Sequence, residues 1–184
     1  AKNYISQSLD ILGDDHSGFE LGLLADIHLI QGNYDEAKTL GQKAWTQAKQ
    51  RISPKDPDYP TRLHDLAIIY LTIGDFELAE PLLQKSLESA KSILGNKSEV
   101  YAVIQGTLGE LYRRQGDYPR ALTFLQQASD ILEDLEPVHY SNTLNNMAMT
   151  YIAMGNIRKA STLFEQSAEI RKLLFGADHP SYSM

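Results

Sequence analysis

Gly74-Asp75-Phe76-Glu77-Leu78-Ala79 decides how this chain is read, because the sequence repeats its logic three more times. Gly32-Asn33-Tyr34-Asp35-Glu36-Ala37, Gly116-Asp117-Tyr118-Pro119-Arg120-Ala121 and Gly155-Asn156-Ile157-Arg158-Lys159-Ala160 are the other copies. Their glycines recur at intervals of 42, 42 and 39 residues. A fixed period of this size marks a stack of small two-element units rather than one folded core. Within each copy, glycine supplies the positive φ that ends one helix, and the Asn or Asp after it caps the next. The expectation is helix, tight turn, helix throughout, without strands, and with second helices starting near residues 34, 76, 118 and 157.

The residues upstream of each glycine form columns. Leu21, Leu63 and Leu144 make one, and Leu24, Leu66, Leu108 and Met147 the next. A small residue follows, Ala25, Ala67, Gly109 or Ala148, and three later comes His28, Tyr70, Tyr112 or Tyr151. Steps of three, one and three lie on a single helical face. Downstream of each glycine, Ala37, Ala79, Ala121 and Ala160 oppose the small residue of the first helix. Ala44, Ser86, Ala128 and Ser167 are again small, and Leu83, Leu125 and Phe164 lie between to fill the seam. Small against small lets two helices approach closely. In the first unit Asn33 and Glu36 also fit a capping-box spacing. Pro119 sits in a first helical turn, where its missing N–H is harmless, whereas Pro81 lies deeper and is expected to bend its helix.

The units run over residues 17–58, 59–100, 101–139 and 140–184, the last including the start of another linker. Aligned on the alanines, Ala1-Lys2-Asn3-Tyr4 matches Ala37-Lys38-Thr39-Leu40, so residues 1–16 read as the second helix of a repeat that begins upstream. Gly13 is placed to end that helix, and Ser17 to cap the next. Ile170, Leu173 and Leu174 on the last helix are expected to want a further neighbour, which makes self-association through exposed ends an expectation.

Seventeen basic against 24 acidic residues give a net charge of −7, with no basic stripe, which argues against a nucleic-acid partner. No apolar run spans a bilayer. Absence of cysteine excludes disulfides and thiolate metal sites. A cytoplasmic setting is the expectation. Of five histidines, His16, His139 and His179 fall just before first helices, and His28 and His64 occupy different columns of theirs. No two stand at the spacing of a helical zinc pair, and no phosphate loop, dinucleotide glycine motif or serine elbow is present. The sequence therefore calls for no enzyme, metal or cofactor.

Two departures break the pattern. Gly41 stands where other units carry Leu83, Leu125 and Phe164, and Trp45 follows one turn later. Helical side chains tilt toward the N-terminus, so the indole is expected to lean back over the gap as filler. The other reading is a small ligand pocket. At Glu133-Asp134-Leu135-Glu136-Pro137 three residues are lost, which should shorten one connection and alter the local superhelical step.

Small and aromatic residues at these spacings resemble the tetratricopeptide repeat over nearly the whole chain. The 42-residue period, Thr143-Leu144-Asn145-Asn146-Met147-Ala148 and Gly176-Ala177-Asp178-His179-Pro180 look like its kinesin-light-chain variety. The resemblance implies an all-α, right-handed superhelical solenoid of antiparallel helix pairs, with first helices lining a concave face that binds a peptide or protein segment. It also implies a scaffold or adaptor role. Repeats of this kind also occur beside caspase-like peptidase and NTPase domains, so a regulatory domain of a larger enzyme is a second expectation, and an oligomerisation module a third. First-helix residues outside the core columns are the groove candidates: Asp26 and Leu29, then His64, Ile68 and Leu71, then Glu110 and Arg113, then Asn142, Asn145, Met149 and Ile152. Phe19, Gly22, Thr72, Gly106 and Arg114 share those faces. The family's carboxylate clamp needs lysines and asparagines where this chain has Gly22, Asp26, His64 and Ile68, so that ligand is not expected.

Overall fold

The computed structural model describes residues 18–176. The expected partial repeat at 1–16, the Ser17 cap, His16, and the linker residues beyond Gly176 with His179 lie outside the described residues. Within them run eight helices and no strand: α1 (Gly18–Ile30), α2 (Tyr34–Arg51), α3 (Tyr59–Ile73), α4 (Phe76–Ile93), α5 (Glu99–Gln115), α6 (Tyr118–Leu132), α7 (Pro137–Ala153) and α8 (Ile157–Phe175). Second helices begin at residues 34, 76, 118 and 157, as the turns require. The chain is an all-α array of helix pairs. It divides into two compact units, one ending at Ser89 and the other starting at Ala90.

Each tight turn is closed by the same pair of backbone bonds. Gly74 N–H donates to Leu71 C=O at 3.1 Å, and Asp75 N–H reaches back to Tyr70 C=O at 2.9 Å. Gly116 and Asp117 do the same to Arg113 and Tyr112 at 3.1 and 2.9 Å. These are the Schellman bonds that satisfy orphan carbonyls at a helix end, and they require the left-handed φ of 91° at Gly74 and 83° at Gly116. In the outer turns Asn33 reaches His28 C=O and Asn156 reaches Tyr151 C=O, both at 2.8 Å. The acceptor is always the aromatic or His column. That residue packs with its side chain and stops the helix with its carbonyl.

Side-chain capping is less uniform. Asp117 accepts from Arg120 N–H at 3.1 Å and Asn156 from Lys159 N–H at 3.3 Å. Asn33 makes no side-chain cap bond, so the capping box expected there does not form. Its amide instead contacts His28 Nδ1 at 3.3 Å, an acceptor that tyrosine at this position would not offer. Asp75 takes the Lys38 ammonium at 3.4 Å.

The column residues form the core. Leu21, Leu24, Leu63, Leu66, Leu108, Leu144 and Met147 are buried, as are Ala25, Ala67, Gly109 and Ala148 opposite Ala37, Ala79, Ala121 and Ala160. Leu83 and Leu125 are fully buried, while Phe164 is half-buried. Contact is close where glycine stands: a Cβ on Gly109 would lie 2.5 Å from Leu125 Cγ and 3.2 Å from Ala121 C=O. Two serines add a buried bond between paired helices. Ser86 Oγ donates to Pro60 C=O at 2.6 Å, and Ser167 Oγ to Ser141 C=O at 2.9 Å. Ala44 and Ala128 occupy the same place in the other pairs and pack without it.

The lost residues come out of a helix as well as its connection. α6 has 15 residues against 18 in α2 and α4. After buried Leu132, its carbonyl accepts from both Leu135 and Glu136 N–H, which turns the chain at once into α7. Glu136 then caps α7, accepting from His139 N–H at 2.7 Å. Pro81 lies inside α4, which continues past it to Ile93.

Candidate binding surfaces

First helices are covered on more than one side, and this changes which candidate residues stay accessible. Leu29 packs against the cluster of Ala25, Ala37 and Ile69 and belongs to the core. His64 and Leu71 are buried at 8% and 5% exposure. Helical spacing placed all three outside the core columns. Spacing alone describes the seam with a helix's own partner, whereas a helix in a stack also meets its neighbours. Ile69, Ile104 and Leu111, which the columns missed, are buried as well, Ile69 in the cluster with Ala25 and Ala37. Gly106 is buried too, facing Thr143 and Ala128.

The second unit keeps a contiguous set of candidates on α5 and α7. Arg113 donates to both Glu110 oxygens, at 2.8 and 2.7 Å, and each side chain is roughly three-quarters covered. This bond raises the Arg113 pKa, so the guanidinium stays charged under all ordinary conditions. On α7, Asn142 accepts from the Arg171 guanidinium at 2.8 Å, which orients its carboxamide. Asn145 is half-buried. Met149 and Ile152 are open to solvent at 44% each. Fixed polar groups beside free apolar ones suit a segment that brings both a backbone and side chains.

The first unit holds a cleft. Gly22 and Gly41 leave it room, and it has a volume of about 430 Å³, walled by Leu23, Ile68 and Ile69 with Asp26 and Asp65 among its lining residues. Trp45 is on its wall but does not fill the space over Gly41. A Cβ there would fall 2.3 Å from Ile69 Cδ1, so isoleucine from the next first helix occupies it. The indole instead meets Tyr59 edge-on, with centroids 5.4 Å apart. A branched side chain reaching in from α3 relieves the gap, and the tryptophan remains as wall.

Asp65 pairs with Arg62 at 3.7 Å and its side chain is half open to solvent. Burial in the cleft pushes its pKa up to about 6; Arg62 opposes the shift and the Asp26 carboxylate adds to it. Burial also raises Asp26. Among the described residues no group of His, Cys, Asp or Glu has the arrangement of a metal site, and no helix is long and apolar enough to cross a membrane.

Known proteins agree with this architecture. A family model described as Tetratricopeptide repeat matches residues 20–92 and 73–134, and a second of the same description matches 141–181. The crystal structure of BtubC (BKLC) from P. vanneervenii superposes with a TM-score of 0.72 at 26% identity, over 89% of this chain. The chain spans 66% of BtubC, just under two thirds. Nearly identical kinesin-light-chain TPR-like repeats from Podosopora anserina give 0.72 at 22% identity, over 91% of this chain and 82% of theirs. MamA gives 0.58 at 16%, over 92% of this chain and 86% of its own, a likeness of fold alone. No curated protein is significantly similar in sequence. The chain belongs to the tetratricopeptide-repeat family, with repeats of the kinesin-light-chain kind.

Proposed function

We propose that this chain is a non-catalytic adaptor that holds a protein or peptide segment along the open side of its first helices. Repeats of this family generally mediate contacts between proteins. The observation that carries the reading is α7, where Met149 and Ile152 stand exposed beside Asn142, whose carboxamide Arg171 holds in place. Asn145 offers a donor and an acceptor to a passing backbone. On α5 the Glu110–Arg113 pair supplies opposite charges that fix direction and register.

A peptide-display library selected on the chain supplies the ligand, and calorimetry measures it. Asn145→Ala and Arg113→Ala are expected to weaken a selected peptide at least tenfold, about 1.4 kcal/mol. Lys91→Ala, an exposed change on α4, should leave affinity unchanged. Full affinity in both variants would move the binding surface off α5 and α7.

Self-association is the second reading, favoured by Leu173, Leu174 and Phe175, exposed at 82%, 43% and 42% on α8. Light scattering across a concentration series distinguishes it. A mass that stays monomeric would remove it.

A further inference from the structure

The cleft between α1, α2 and α3 has the build of a ligand site rather than a packing flaw. Its volume of about 430 Å³ falls in the range of small-ligand pockets. Flaws in a core are apolar and closed. Here Asp26 and Asp65, from different helices, share a cleft with the apolar Leu23 and Ile68. Charge in the cleft is unbalanced. Among the described residues Arg62 is the one cation in the lining and is engaged with Asp65, while Asp26 has neither ion-pair nor hydrogen-bond partner. Two carboxylates against one guanidinium leave a net negative charge, bordered by an indole whose ring system attracts cations.

We propose, building on the reading that the chain binds protein segments, that this cleft takes an arginine or lysine side chain of the segment. The charged head lies between Asp26 and Asp65, and the alkyl stem along Leu23, Ile68 and Trp45. Basic side chains combine a long apolar stem with a charged tip, which matches a cleft with apolar walls and carboxylates. A neutral or acidic side chain would leave Asp26 without a counter-charge. The chain's net charge of −7 draws a basic segment toward it.

The groups facing Asp65 are Asp26 from α1 and Arg62 on its own helix; α2 contributes uncharged Gly41, Ala44 and Trp45. Because Asp65 titrates at about 6, an arriving cation favours its ionised form. Binding therefore releases a proton at mildly acidic pH and strengthens as pH rises through that value.

Trp45 is the chain's one tryptophan, so its fluorescence reports on this cleft. The probes are acetylated tripeptide amides Leu-X-Leu, with X as arginine, lysine, citrulline or glutamate. Citrulline keeps the shape of arginine and removes its charge. Arginine or lysine should shift Trp45 emission saturably and bind at least fivefold tighter than citrulline, with affinity at pH 7.5 exceeding that at pH 5. Asp26→Asn and Asp65→Asn should each bring the preference close to one. Asp26 is exposed and has no ion-pair or hydrogen-bond partner among the described residues, so its variant tests the idea even if Asp65→Asn perturbs folding. Equal affinity for arginine, lysine and citrulline, a preference that survives both variants, or no saturable response to any probe would overturn the proposal. Failure here is separable from failure of the adaptor reading. Display peptides lacking basic residues and indifferent to Asp26→Asn remove this inference and leave that reading. An empty display selection beside a saturable arginine response does the reverse.

Discussion

Two glycines three residues apart on α5 should respond to the same substitution with opposite signs. At Gly109 an added Cβ would sit 2.5 Å from Leu125 Cγ and 2.8 Å from its Cδ2, with Ala121 C=O at 3.2 Å. Leu125 is fully buried and cannot swing aside into solvent, and the third neighbour is backbone. Overpacking of this kind costs about 1–3 kcal/mol. Alanine returns about 0.5–1 kcal/mol through helix propensity. The net expectation for Gly109→Ala is a loss of about 1–2 kcal/mol. At Gly106 the nearest atoms are Thr143 Oγ1 at 3.8 Å and Ala128 Cβ at 4.0 Å, ordinary contact distances. Gly106→Ala should therefore gain about 0.5–1 kcal/mol. Urea unfolding followed by circular dichroism resolves the pair. With a slope of about 2 kcal/mol/M the midpoint should fall by about 0.5–1 M for Gly109→Ala and rise by about 0.3–0.5 M for Gly106→Ala. Midpoints that move together, in either direction, would refute the placement of the seam against Leu125.

Ser86→Ala and Ser167→Ala each remove a buried bond to a first-helix carbonyl, and each should cost about 1 kcal/mol in the same assay. Gly116→Ala forces a Cβ onto a residue with φ of 83° and should cost about 1 kcal/mol, although nothing lies near enough to clash. Asp65 holds its proton more tightly in the folded chain, at about 6 against an ordinary 3.8, so folding loses stability as pH rises from about 4 through 6. Asp65→Asn removes that loss. Its melting temperature relative to the parent should climb over this interval and level off above it, and a difference that stays flat with pH would contradict the assignment.

The sequence made the turns legible because their chemistry is local. Glycine, the cap and the column residue lie within six positions of one another, and α2, α4, α6 and α8 begin where those residues say. The seam was legible for a similar reason, since one helical face meets one partner. The second contact of each first helix was not. Ile69 enters the space over Gly41 from a different repeat, and nothing in the spacing of either helix sets the distance between them. His64 and Leu71 looked free on the same ground and are buried. The Asn33 cap does not form, and its amide nitrogen lies instead against the His28 ring nitrogen and the Gln31 side chain, contacts that a capping spacing does not reveal. Among candidate site residues, Asp26 and Ile68 could be named from their columns. Joining them to Asp65 and Trp45 in one cleft needed three helices in place.

The turn that ties Tyr70 and Tyr112 carbonyls to the residues after Gly74 and Gly116 divides each repeat into a fixed end and an adjustable one. At the fixed end only two residues separate α3 from α4 and α5 from α6, and adding one would put the donor out of reach of its carbonyl. At the other end the chain already varies, with connections at 52–58, 94–98 and 133–136. An array built this way tolerates length changes on one edge alone. Foreign sequence grafted between α2 and α3 would leave every seam in phase, whereas the same graft after Gly74 would unlock the hinge on which its repeat is folded.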